Sequence, residues 1–155
     1  MRPIELKIKG INSYREEQVI NFNQLTSQGF FGIFGPTGSG KSTILDAITL
    51  ALYAKLPRGS KNFININETS ASVSFRFSIT TTETKEYLVE RSFRYPGKDR
   101  SSTARNTTAR LSLLSDIDTE VLADKPTDVT RSCIDLLGLS SDDFLRTVVL
   151  PQGQF

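Results

Sequence analysis

The 155-residue chain carries 37% hydrophobic and 23% charged residues, and its 19 Lys and Arg against 17 Asp and Glu leave a formal net charge of +2. That length suits one domain with a buried core, the composition excludes a disordered polyampholyte and a membrane protein, and so small a net charge is no argument for a polyanionic partner. The absence of His removes catalytic triads, HExxH zinc sites and imidazole acid–base chemistry, while the single Cys133 can form neither an intrachain disulfide nor a multi-Cys zinc site.

Ile4, Leu6 and Ile8 alternate with Glu5, Lys7 and Lys9, which predicts a first strand with one face in the core. The same alternation offers no signal-peptide core, and residues 44–54, the most apolar stretch, are too short to span a bilayer. With the lone Cys, these features predict a cytoplasmic protein with no membrane partner. Val19, Ile20, Asn21 and Phe22 suggest a second strand, and residues 29–35 (GFFGIFG) read as a buried central strand leading into a Gly-rich turn. From Lys41 to Tyr53 apolar residues surround most of a helical wheel, predicting a helix buried on most sides and ended by Pro57-Arg58-Gly59-Ser60.

Val73, Phe75, Phe77 and Ile79, then Tyr87, Leu88, Val89 and Phe93 beyond a polar turn, predict a β-hairpin. Residues 96–107 read as a long polar loop before a strand at 109–114. After an acidic turn at 116–120, Pro126 marks a helix start, with Val129, Cys133, Leu136 and Leu137 on one face and Gly138 at its end. Ser140 and Asp143 suit the cap of a short helix, and Val148-Val149-Leu150 is strand-like. Strand, turn, buried helix, antiparallel strands and helices in that order predict a mixed α/β layer structure.

Between the predicted central strand and the helix, Gly35-Pro36-Thr37-Gly38-Ser39-Gly40-Lys41-Ser42 has the phosphate-loop pattern of a Gly, four residues, then Gly-Lys-Ser. The glycines let successive N–H groups face phosphate oxygens at a helix N-terminus, Lys41 would neutralise β- and γ-phosphates, Ser42 would ligate Mg²⁺, and Thr43 adds a hydroxyl toward the α-phosphate. A structural Lys41 would oppose the helix macrodipole without compensation, which argues for an anionic ligand. The pattern alone separates neither ATP from GTP nor kinase from ATPase.

Ile11-Asn12-Ser13 after the first strand, GPTGSGKST followed by ILDAITLALY, Pro57-Arg58, Leu122-Ala-Asp-Lys125 and the closing Phe144-Leu-Arg146 with Leu150-Pro-Gln-Gly-Gln-Phe155 together resemble the SbcC family, the SMC-like ABC ATPase components of bacterial SbcCD repair nucleases, over essentially the whole chain. The resemblance implies a P-loop NTPase fold of the ABC/SMC head type, with residues 1–155 its N-terminal lobe, a mixed sheet and an antiparallel hairpin. It implies ATP and Mg²⁺ as cofactors, Gln152 as the Q-loop glutamine that reaches the metal and attacking water, and Asn12 and Ser13 as a loop flanking the nucleotide. A coiled coil, the Walker B carboxylates, the signature motif and a switch His would then lie beyond Phe155. Implied partners are an SbcD-like nuclease, the C-terminal half of the head, a second head in a homodimer, and DNA, with a nucleoid-associated cytoplasmic location. An SMC-like or RecN-like head without a nuclease partner and a small-molecule kinase are the rival readings.

Arg91, Arg94, Lys98, Arg100, Arg105 and Arg110 form a basic stretch opposed within it only by Asp99, readable as a solvated hairpin tip or as a contact for DNA phosphates. The Phe residues at 22, 30, 31, 34, 63, 75 and 77 could be imagined as a base-stacking surface, but their strand positions predict core for most.

Overall fold

In a computed structural model, residues 1–25, 32–56, 62–97, 100 and 102–147 are described. The elements run β1 (Arg2–Lys9), β2 (Gln18–Asn21), α1 (Phe22–Leu25), α2 (Lys41–Tyr53), β3 (Ser70–Thr80), β4 (Thr84–Arg94), β5 (Arg105–Leu114), β6 (Thr119–Ala123), α3 (Pro126–Leu137) and α4 (Ser141–Thr147). The strands form one six-stranded sheet ordered β2-β1-β3-β4-β5-β6. Every pairing between these strands is antiparallel, where the resemblance implies a mixed sheet.

Period-2 patterning places Leu6, Ile8, Ala71, Val73, Phe75, Phe77, Tyr87, Val89, Phe93, Ala109 and Leu111 on one buried face. Phe75 and Phe77 stack at 5.4 Å between ring centroids, and Phe77 and Tyr87 at 5.6 Å. Onto this layer pack α2, against β3 and β4, and α3, against β5 and β6. Helix α2 is buried from Ala47 through Tyr53 without a break, which its lack of charge from Ala47 onward permits, and Ala47 and Ala51 let it lie close to its neighbours. Its C-terminus is made by Ala54 in the left-handed region (φ 54°), whose N–H donates to Leu50 O. Pro57-Arg58-Gly59-Ser60, the expected terminator, lies outside the described residues.

Helix α3 starts at Pro126 and ends at left-handed Gly138, with Val129 and Cys133 buried, as the sequence predicts. Ser140 accepts the Asp143 N–H at 3.2 Å and caps α4. The hairpin β3–β4 is also as expected. Strand β5 begins four residues earlier than patterning suggests, because Arg94 and Arg105 pair through backbone bonds that do not depend on apolar side chains. The edge strand β6 forms where the pattern predicts no element.

The expected central strand is corrected for its described part. Residues 32–35 are irregular, with Ile33 42% and Phe34 92% exposed, so Phe34 is no core residue. A strand apolar on both faces needs neighbours on both sides, and β1 and β3 adjoin directly, leaving no slot for it in this sheet. Residues 29–31 and 148–150 lie outside the described set.

Candidate functional site

The Gly-rich turn ends where α2 begins, and its conformation follows from its glycines. Gly38 (φ 85°) and Gly40 (φ 89°) occupy the left-handed region that L side chains rarely adopt. A Cβ on Gly38 would meet nothing within 4 Å, so this turn borders open space. On Gly35 it would come within 2.7 Å of Ser39 Oγ. Turn closure comes from Ser39 N–H to Pro36 O at 3.2 Å and Thr43 N–H to Gly40 O at 3.0 Å.

Gly40 caps α2 without a side-chain hydrogen bond, and no acidic residue lies in the first turn. The positive end of the helix dipole therefore has no anionic partner in its own first turn. Lys41 reaches back over the turn, its Nζ donating to Gly35 O at 2.6 Å, Pro36 O at 2.7 Å and Ser39 Oγ at 3.3 Å. An ammonium held by two carbonyls and a hydroxyl beside an uncapped helix N-terminus could meet phosphate. Pro36, Thr37 and Ser42 are exposed, and Ser42 presents a hard oxygen donor beside that space.

Asn12 and Ser13 meet this loop from the other side. Asn12 (φ 48°) donates from Nδ2 to Thr43 Oγ1 at 3.2 Å, and Ser13 Oγ lies 2.8 Å from where a Gly40 Cβ would stand. Thr43 is buried. Residues 35–43 and 12–13 are thus brought together; Gln152 lies outside the described residues. Tyr14, which no sequence motif singles out, joins them through a bond from its hydroxyl to Gly40 O at 3.3 Å. The available signal is an aromatic residue directly after Asn-Ser in a loop already expected to flank the ligand.

The basic stretch divides. Arg91 is 2% exposed and donates to Ala51 O at 2.6 Å, Leu52 O at 3.1 Å, Asn106 Oδ1 at 2.8 Å, Pro126 O at 3.2 Å and Thr130 Oγ1 at 3.0 Å. Burial lowers its pKa to about 10, which leaves it charged at neutral pH. Arg100 lies over the Tyr95 ring, 5.4 Å from its centroid, and donates to Asn65 O at 2.7 Å and to Glu68 O. These two cations are structural. Arg94, Arg105 and Arg110 are exposed, and Lys98 lies outside the described residues. Strand register puts Arg94, Arg105 and Arg110 on the solvent face of the sheet with Lys7 and Lys9, across a floor of Ser72, Ser74, Ser92 and Thr108. Most of them line a groove of about 790 Å³, together with Glu5, Glu17, Glu90 and Asp124.

Residues 5–155 match the family model described as AAA domain. The chain belongs to the AAA domain family. This AAA domain is 52% identical over 155 residues to the SbcC component of the nuclease SbcCD of Clostridium acetobutylicum, covering 100% of the present chain and 13% of that protein. It is 50% identical over 158 residues to the SbcC component of the same nuclease in Bacillus subtilis, covering 100% and 14%. A probable DNA double-strand break repair Rad50 ATPase of Aquifex aeolicus is 34% identical over 160 residues, covering 100% and 15%. The AAA domain therefore spans about one seventh of the length of these relatives, and the SbcC resemblance of its motifs holds over the whole chain. No helix among the described residues is long and apolar enough to cross a membrane.

Proposed function

We propose that this AAA domain is the ATP-binding N-terminal lobe of an SbcC-type ABC ATPase head. The observation that carries the reading is the helix N-terminus at Gly40, left without a side-chain cap and overlaid by the Lys41 ammonium. The residues fit Mg²⁺-ATP: Gly38 leaves space for phosphate, Lys41 supplies charge, and Ser42 supplies a hydroxyl to the metal. Bound ATP would supply a hydrolysable phosphoanhydride, and head engagement would depend on its being held. This chain's part is to grip the phosphates, with Gln152 the expected ligand for metal and water. Exposed Ile33 and Phe34 support a half-head whose remaining strands come from the C-terminal half. Names of the relatives support an SbcD-like nuclease partner and a role in DNA repair; on this reading engaged heads form a homodimer, and work on DNA would put the protein in the cytoplasm near the nucleoid. Whole-chain similarity to nuclease components disfavours the RecN-like and kinase alternatives.

The test is nucleotide titration of the full-length protein. Lys41→Ala loses a charge-assisted phosphate contact and should weaken ATP binding roughly ten- to more than hundredfold. Unchanged affinity would sink the assignment.

The exposed cations support DNA as a further ligand. If Arg94, Arg105 and Arg110 each neutralise one phosphate, replacing all three by Ala should lower the log–log salt slope of DNA binding by about 2.7. A wild-type slope would return this face to a solvated surface.

A further inference from the structure

Tyr14 is placed by a loop that is fixed before it reaches the phosphate loop. Ile11 and Tyr14 exchange backbone bonds, Ile11 N–H to Tyr14 O at 3.1 Å and Tyr14 N–H to Ile11 O at 2.8 Å. A second segment holds them from below: Asn12 N–H donates to Phe63 O at 2.7 Å, Asn65 N–H to Gly10 O at 2.8 Å, and Asn65 Nδ2 to Asn12 O at 2.6 Å. From this pedestal the Tyr14 ring lies against Gly40, where a Cβ would be 2.7 Å from Cε2 and 2.9 Å from Cζ.

The Tyr14 hydroxyl donates to Gly40 O at 3.3 Å, and the Thr43 N–H donates to the same oxygen at 3.0 Å. That oxygen and the Lys41 N–H belong to one planar trans peptide, so they point in opposite directions. Holding the carbonyl from two sides fixes the peptide plane and thereby the direction of the Lys41 N–H. In a phosphate loop the N–H groups at the start of the helix are the ones that meet phosphate oxygens.

We infer that Tyr14 is a positioning residue for phosphate binding: its hydroxyl and ring lock the Gly40–Lys41 peptide so that the Lys41 N–H faces the phosphate site. The inference rests on the phosphate-loop reading above. It makes Tyr14 act on the polyphosphate end of any nucleotide and not on the base.

In the full-length protein, dissociation constants for ATP and for inorganic tripolyphosphate, each with Mg²⁺, are compared for wild type, Tyr14→Phe, Tyr14→Ala and Lys41→Ala, along with the unliganded melting temperature. Tyr14→Phe keeps the ring and removes one hydrogen bond, so both ligands should bind about 2- to 10-fold more weakly, by the same factor, with the melting temperature unchanged. Tyr14→Ala should lose more on both. Unchanged affinities in Tyr14→Phe would overturn the inference, as would a loss confined to ATP, which would make Tyr14 a base contact. A shift in melting temperature without a change in affinity would overturn it too, by assigning Tyr14 to stability alone. Should Tyr14→Ala fail to fold, Tyr14→Phe still decides. If Lys41→Ala binds as wild type does, the phosphate-loop reading itself fails, whereas a weakened Lys41→Ala beside an unaffected Tyr14→Phe refutes only the positioning role.

Discussion

The two ends of α2 are built to opposite specifications. At its C-terminus three of the last four carbonyls have partners within the protein: Leu50 O takes the Ala54 N–H, and Ala51 O and Leu52 O take the Arg91 guanidinium, a buried cation at the negative end of the helix dipole. At the N-terminus no side chain caps the helix, the loop before it is exposed, and the nearest cation folds over it. One helix of 13 residues, about 20 Å long, thus has one end satisfied by the fold and one end without a side-chain cap, the end proposed above to take phosphate. The difference teaches that the missing side-chain cap at Gly40 is a local provision, since the same helix is closed off at Ala54.

The hardest way to break this comparison is to remove the C-terminal partner. Arg91→Met should cost about 3 kcal/mol or more, because buried carbonyls on α2 and Pro126 O would lose a donor together, and each buried polar group left unsatisfied costs about 1–3 kcal/mol. Arg91→Lys should recover little of it, since one ammonium cannot reproduce a planar fork spread over α2, β5 and α3. Urea denaturation measures both. A loss below about 1 kcal/mol for Arg91→Met would mean that α2 is anchored otherwise.

A smaller effect should appear on the alkaline side. Burial pushes the Cys133 thiol up to about 11 from 9.0, against the opposing charge of Arg91. An acid whose folded-state pKa is raised contributes stability that is fully present below its unfolded pKa and is lost as pH climbs toward the folded value. Wild type should therefore lose up to about 2 kcal/mol more than Cys133→Ala between pH 9 and pH 11. Parallel denaturation midpoints in the two proteins across that window would show that the thiol side of α2's capped end is wetter than its burial implies.

How much of this was legible follows from which interactions a one-dimensional pattern encodes. Helix α2 is readable from its start, fixed by the Gly-Lys-Ser turn, along its apolar run to Tyr53, but the left-handed Ala54 that closes it gives no signal in the sequence. Helix α3 was readable because Pro126 and Gly138 punctuate it. The strand expected at 29–35 fails in its described part because an apolar run reports a demand for neighbours and not their presence. In the site, the glycines and Lys41 announce themselves by spacing, whereas Tyr14 does its work through one hydroxyl and a ring face 26 residues from Gly40 in sequence. Arg91 misled for a related reason. Read among Arg94, Lys98 and Arg100 it looks like surface charge, yet its strand phase alternates with Glu90 and Ser92 and places it on the inner face opposite Val73.

The smallest expected effect sharpens the comparison through backbone alone. Ala54 holds a left-handed conformation (φ 54°) to close α2, which for an L residue with a Cβ carries a strain of roughly 1–2 kcal/mol. Ala54→Gly relieves that strain, and the greater freedom of Gly in the unfolded chain gives back about 0.4–1 kcal/mol. The net should be a gain of up to about 1 kcal/mol, read as a raised denaturation midpoint, with ATP affinity unchanged because the substitution lies at the closed end. Gly40 has the same sign of φ at the open end but cannot be exchanged in the reverse sense. A Cβ there would collide with the Tyr14 ring and Ser13 Oγ, so Gly40→Ala should cost both stability and nucleotide binding. Equal behaviour of the two substitutions, both moving stability and neither moving affinity, would show that the left-handed residue before α2 is a turn requirement like the one after it, and that the contrast between the two ends is conformational only.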